Sequence, residues 1–443
     1  MRDERSLTLS AADAARQIRD GKLTSEELVQ ACLERIRALE PKVQAWTFLD
    51  EEHALAQARA ADERKRNGEP IGPLHGVPVG VKDIFDTADM PTENGTVLDQ
   101  GRTPRHDSAP VRMLRAAGAV ILGKTVTTEC AYFAPGKTRN PHNPEHTPGG
   151  SSSGSAAAVG CGMVPVALGS QTAGSVIRPA AFCGVYGYKP THGLIPRTGV
   201  LQLSRTLDHV GLFARAIEDL ALLLEQLEGY DEADPDTQPR ARVPFRALAA
   251  EEPPIPPLLA FIKTHHWERT DPDTKEAYGE LIETLGDRVE EVELFPSARD
   301  LWDWQRTIMA AEMASNLERL WPGRDQLSPQ LRELMDRGRE VRAIDHQRAL
   351  RAVEPVRASF DELFMERYDA ILTPPALGTA PRGLGATGDP AFCVPWTLLG
   401  MPAITLPLMR GANGLPLGVQ LVGRRGFDAR LMRTARWLVE KLG

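Results

Sequence analysis

Cysteine is scarce: five among 443 residues, an odd number scattered at 32, 130, 161, 183 and 393, with no C-x-x-C spacing. That excludes a disulfide framework and a cysteine-rich metal ribbon, and predicts reduced, buried thiols. No apolar run reaches the length of a bilayer span, and the opening MRDERSLTLS is too polar for a secretory leader. A soluble protein in the cytoplasm is the expectation, with no membrane partner. Positive charge is short as well: the formal net charge is −8, which argues against nucleic acid as a direct partner. The ten histidines include no H-E-x-x-H, so a zinc hydrolase has no support, and His265 and His266 read as surface residues. Neither a metal nor an organic cofactor is implied.

What the chain does have is an alternation of helical and strand patterns. Residues 24–38 open on a Ser/Thr cap and carry an i, i+3, i+4 apolar stripe. Residues 51–67, 109–117, 215–229 and 271–285 also read as helices. AVILGKT, LLAFIK and VEEVELF read as strands, as do YDAILTPPA, AITLPLM and GVQLVGR before a closing helix. Residues 136–155 are too rich in Gly, Pro, Asn and Ser for regular structure, 231–256 look like a surface excursion, and 299–366 are almost wholly helical. This rhythm predicts one large α/β domain over 1–443: a mixed, mostly parallel twisted sheet covered by helices on both faces.

Two short patterns point to functions that their context refuses. GAVILGKT, residues 118–125, matches the phosphate-loop expression, but its middle is a buried strand where a phosphate cradle needs a loop with free amides. GSSSG, residues 150–154, matches the nucleophile elbow, yet the stretch before it is PHNPEHTPG in place of an apolar strand.

More telling is an ordered set: a lysine in GVPVGVKD, the turn GGSSSGSAAAVG, and GSQTAGSVIRPAAFCGVYGYKPT downstream. Singly, these serines read as turn residues and the lysine as a surface charge. Together they resemble the amidase signature family, as do DSAPVRMLRAAGAVILGKT, NPHNPEHTPGG, LLGMPAITLPL and GLPLGVQLVGR. The likeness covers roughly residues 8–230 and 365–443.

The resemblance implies the amidase signature fold, with a catalytic core over 70–215 and a variable, mainly helical, pocket-covering region over 231–365. It implies Lys82 as base, Ser151 as proton relay after a cis peptide, and Ser175 as nucleophile. The oxyanion hole would be main-chain amides of Thr172, Ala173, Gly174 and Ser175. Gly150, Gln171 and Arg178 are candidates for substrate contact, Arg178 being equally readable as structural. Two departures stand out: Gln171 occupies the place where the family commonly has Asp, and Arg178 follows the serine by three residues instead of two. They liken the chain to a branch acting on small amides, malonamide-like or urea-derived. The expected reaction is hydrolysis of an amide, aryl amide or carbamate (urethane) by a monomer or homodimer. The alternative is a glutamine-hydrolysing component of an amidotransferase, of the A type.

Overall fold

The computed structural model describes residues 8–442. Among them, eleven strands form one sheet: β1 (Trp46–Leu49), β2 (Pro78–Lys82), β3 (Val120–Thr125), β4 (Val166–Gln171), β5 (Tyr186–Lys189), β6 (His209–Ala214), β7 (Leu259–Lys263), β8 (Val289–Glu293), β9 (Ala370–Thr373), β10 (Ala403–Arg410) and β11 (Pro416–Val422). Their spatial order is β1-β3-β2-β4-β6-β5-β10-β11-β9-β7-β8. The sheet is mixed, and its parallel pairs gather in two blocks, β3-β2-β4 and β9-β7-β8, joined by antiparallel pairings.

Strand alternation builds two apolar layers. Val79, Val81, Ile121, Val166 and Leu168 join one core, which the helices Ile217–Leu227, Leu301–Asn316 and Asp428–Leu442 complete. Val120, Leu122, Ala167 and Phe213 face the other way, under the helices Ser25–Val43, Glu51–Arg66 and Ser153–Gly160. Thr24 opens the first of these with a capping box: its hydroxyl accepts from Glu27 N at 3.0 Å, and Glu27 Oε2 accepts from Thr24 N at 2.8 Å.

One sequence expectation needs correction. The stretch 231–256 is not all surface excursion: it contains the helix Phe245–Ala250, whose Phe245 is buried against the core. The strands read in LLAFIK and VEEVELF are β7 and β8, which the region 231–365 supplies to the main sheet beside the helices Leu301–Asn316, Pro329–Glu340 and Ala343–Glu366. Consecutive Phe261 and Ile262 are both buried because parallel strands are covered on both sides. All five cysteines are buried and free. Among the described residues no helix is long and apolar enough to cross a membrane.

The small residues of Ser153–Gly160 let this helix lie directly on sheet backbone. A Cβ at Gly154 would stand 2.3 Å from both Ala45 O and Val126 N, the two ends of a main-chain hydrogen bond. Backbone cannot yield as a flexible side chain can, and overpacking a core typically costs about 1–3 kcal/mol. Gly154→Ala is expected to destabilise by at least that much, read as a lowered urea midpoint with an unchanged m-value; a wild-type midpoint would contradict this packing.

Candidate active site

Lys82 is the last residue of β2, a strand buried throughout, and its side chain is fully buried. Its Nζ lies 2.8 Å from Ser151 Oγ and 2.8 Å from Ser170 Oγ. Both partners are hydroxyls. Burial therefore holds the ammonium well below the usual lysine range, opposed only by the field of Asp208. An amine so placed can accept a proton.

Ser151 follows a cis peptide from Gly150 and sits at the foot of the helix Ser153–Gly160. Gly150 has no room for a side chain, since a Cβ there would meet Thr387 Cγ2 at 2.7 Å. Its role is thus steric and main-chain. Ser152, the central serine of the elbow-like pattern, is fully buried and donates its hydroxyl to Ser170 O at 3.1 Å, so the elbow reading fails.

Ser175 stands in the turn between β4 and the helix Ile177–Cys183. Arg178, one turn on, donates to Gly150 O at 2.7 Å and to Thr387 O at 2.7 Å, and so ties the Ser175 segment to the Gly150–Ser151 peptide. The structure thus brings Lys82 and Ser151 into contact, and Arg178 links the helix that follows Ser175 to the peptide that precedes Ser151. The link from Ser151 to Ser175 is not a hydrogen bond here: among the described residues the Ser175 hydroxyl has no hydrogen-bond partner, and the residue retains 7% exposure.

The turn 171–176 has its carbonyls pinned. Thr172 O accepts from Gln305 Nε2 at 3.4 Å, Ala173 O from Thr397 Oγ1 at 2.7 Å, and Gly174 O from Arg178 N at 3.1 Å. In a planar trans peptide the next residue's N–H points opposite to the carbonyl. The amides of Ala173, Gly174 and Ser175 are therefore turned away from these anchors, and among the described residues they donate to no acceptor. Three such donors in succession form a nest for a negatively charged oxygen. The amide of Thr172 likewise donates to no acceptor among the described residues, and Thr172 adds a side-chain anchor, Oγ1 donating to Asp208 Oδ1 at 2.7 Å.

Two substrate-contact candidates fall to the geometry. Gln171 is buried and fully engaged: Oε1 accepts from Val176 N at 2.8 Å and Ile177 N at 3.0 Å, and Nε2 donates to Thr397 Oγ1 at 3.0 Å. It shapes the turn and does not face a ligand. Arg178 is fully buried and holds carbonyls, with no carboxylate in hydrogen-bond contact among the described residues; its Nη1 is left unpartnered. The phosphate-loop lysine also fails. Lys124 lies near the end of β3 with Nζ buried at 2.8 Å from Phe85 O and 2.5 Å from Thr92 Oγ1.

Ser170, Asp208 and Thr397 were missed by sequence reasoning. Ser170 and Asp208 approach Lys82 from β4 and the loop entering β6, and no local pattern marks them; the polar SQT at the end of an apolar strand was the available signal for the first.

Two cavities flank the turn. One, about 360 Å³, is lined by Ala173, Tyr132, Phe133, Trp302 and Gln305. The histidine pair belongs to its wall, a correction to their reading as bare surface: His265 and His266 pack on Trp302 with ring centroids 4.2 and 5.0 Å away. The other, about 350 Å³, is lined by Ser170, Thr172, Asp208 and His209.

The model of the amidase family matches residues 27–432. The A-type component of the glutamyl-tRNA(Gln) amidotransferase of Chloroflexus aggregans is 34% identical over 471 residues, covering 96% of this chain and 94% of its own length. The native peptide amidase of Stenotrophomonas maltophilia superposes with a TM-score of 0.85 at 30% identity, over 98% of this chain and 97% of that one. A 6-aminohexanoate cyclic dimer hydrolase complexed with substrate gives a TM-score of 0.87 at 28% identity, again over 98% and 97%.

Gln171→Leu would leave the buried amides of Val176 and Ile177 without an acceptor. Each orphaned donor costs about 1–3 kcal/mol, so the variant is expected to melt at lower temperature than wild type. Calorimetry showing no loss would mean that Gln171 does not hold the turn.

Proposed function

The chain belongs to the amidase family, hydrolases of C–N bonds, and within that family we propose that it cleaves a non-peptide amide, aryl amide or carbamate through an acyl-enzyme on Ser175. The observation that carries this reading is Lys82: a buried amine whose two partners are hydroxyls, one of them Ser151, beside a turn of unpaired amides.

Neutral Lys82 accepts the Ser151 proton while Ser151 takes that of Ser175, and the Ser175 oxygen attacks the carbonyl carbon. The relay closes when Ser175 Oγ donates to Ser151 Oγ, and the Ser175 hydroxyl, without a hydrogen-bond partner among the described residues, is free to do so. Negative charge on the carbonyl oxygen falls to the amides of Ala173, Gly174 and Ser175, where one donor is worth about 10²–10³ in rate. The proton then returns along the same path to the departing nitrogen, since an amine leaves poorly unless protonated, a step worth about 10²–10⁴. Water attacks the acyl-enzyme by the reverse relay, and no cofactor enters. Substrate occupies the cavity beside Ala173, whose Tyr132, Phe133 and Trp302 suit an aryl or other flat group.

A second reading, the glutamine-hydrolysing component of an amidotransferase, is favoured by the 34% identity to such a protein. Ammonia release from glutamine that rises on adding the partner chains of that assembly would select it over the stand-alone hydrolase.

A fluorophosphonate probe with peptide mapping tests the assignment. Ser175 is expected to carry the label; label on Ser152 and none on Ser175 would overturn it. Lys82→Ala is expected to lose most labelling while remaining folded. The wild-type labelling rate should rise with pH as Lys82 loses its proton and then level, with the limb well below the ordinary lysine range because burial disfavours the ammonium.

A further inference from the structure

We propose that Asp208 is a positioning residue of the reaction, the counter-charge that stabilises Lys82 at the moment it becomes an ammonium and, through Thr172, an anchor of the turn that receives the oxyanion. The inference rests on the relay proposed above.

Asp208 lies in the loop just before β6 and its carboxylate is completely engaged. Oδ1 accepts from Thr172 Oγ1 at 2.7 Å, and Oδ2 accepts from Leu203 N at 2.8 Å and Ser204 N at 2.9 Å. The group is therefore fixed in place and aimed at the β4 end of the turn. It lines the same cavity as Ser170, whose hydroxyl touches Lys82 Nζ at 2.8 Å. Among the described residues no other carboxylate acts on Lys82, whose amine contacts hydroxyls only. The nearest cation on the other side is Arg197, which donates to Asp208 O at 3.0 Å but spends its guanidinium on Asp234 at 2.9 Å and on Asp236. His209, adjoining in β6, is held neutral by burial and by neighbouring Lys189, so it does not compete for the charge. Burial raises Asp208 itself to about 6, which leaves it ionised at neutral pH.

Such an arrangement makes opposite demands before and during proton transfer. At rest the lysine must be neutral, which desolvation secures. When it takes the proton, an ammonium appears in a site where an uncompensated charge is costly. Asp208 spends its hydrogen bonds on Thr172, Leu203 and Ser204 and shares a cavity with Ser170, which touches Lys82 Nζ, so it acts on the transient cation through its field and not by contact. An asparagine keeps the shape and removes the charge; its oxygen can still accept from Leu203 N and Ser204 N while its NH2 donates to Thr172 Oγ1.

The signature is thus a pair of changes in Asp208→Asn. Without the negative field the acidic limb of the labelling rate moves to lower pH, because the amine is more easily neutral. At the same time the plateau rate falls by about tenfold or more, the scale of losing a hydrogen bond to a charged group. The fluorophosphonate rate at Ser175 measures both without knowledge of the substrate, and circular dichroism and the melting temperature check the fold of each variant. Asp208→Glu, which keeps the charge, should retain the wild-type limb even where its plateau is reduced. An unchanged limb in a folded Asp208→Asn protein, or a limb that moves equally in Asp208→Glu, would overturn the counter-charge role and leave the hydrolase reading intact. Should Asp208→Asn fail to fold, the limb of Asp208→Glu is compared with that of Thr172→Val, which cuts the anchor but leaves the charge. The wild-type limb in both supports the role; a shifted limb in both overturns it. Failure of wild-type Ser175 to label at any pH would instead sink the relay.

Discussion

A lysine amine buried without a carboxylate in contact is the constraint to which the rest of this site answers. Among the described residues three lysines are fully buried, and the contrast among them isolates what is particular to Lys82. Lys124 has Asp83 3.6 Å away and several carbonyl acceptors, and its pKa falls to about 8. Lys189 rests on Met401 O and Pro190 O with Asp428 nearby, and falls to about 7. Lys82 alone of the three has hydroxyls as its only partners, and burial holds it well below the ordinary range. Carbonyls can only accept, so they favour the ammonium; hydroxyls can donate to a lone pair, so they tolerate the neutral amine. Burial lowers the amine, and Ser151 and Ser170 as neighbours leave it able to serve as the base of the proposed reaction.

Holding that amine dry requires packing backbone where side chains would ordinarily go. The run from Ser152 to Gly187 is small because three layers meet there: the helix Ser153–Gly160, the strands β4 and β6, and the helix Ile177–Cys183. A Cβ at Gly211 would stand 2.2 Å from Val176 Cγ2, so β6 presses directly on the turn. The same closeness lets distant residues pin the turn's carbonyls. Thr397 serves two ends at once, accepting from Gln171 and donating to Ala173 O, and so couples the C-terminal part of the chain to amides that its N-terminal half supplies.

Sequence made the lysine and the serines legible only as an ordered set that resembles the amidase family; singly, a charge inside VGVKD and serines among glycines read as a surface charge and as turn residues. The alternation of helix and strand was legible because periodicity is a local property. What stayed hidden was tertiary. Gln171 looked like a substrate contact because its position near Ser175 was visible while its bond to Thr397, 226 residues away, was not. Arg178 was readable as a substrate contact or as structural, and its carbonyl partner Thr387 lies 209 residues on. The strands β7 and β8 were read correctly as strands, yet their membership of the main sheet depends on β9, which follows β7 only after a long helical stretch.

Gln171 and Asp208 together show how charge is distributed around the turn. An amide oxygen at 171 accepts the same two backbone N–H groups that a carboxylate there would accept, so the shape of the turn does not need the charge. A carboxylate at that place would, however, set a full negative charge directly behind amides that must receive an oxyanion. With glutamine there, the negative charge acting on Lys82 comes from Asp208, which touches the turn through the Thr172 side chain. In the proposed reaction the developing positive and negative charges would then meet separate partners: the cation a carboxylate, the anion neutral N–H groups. Separation of that kind follows from placing an amide where a carboxylate would also fit.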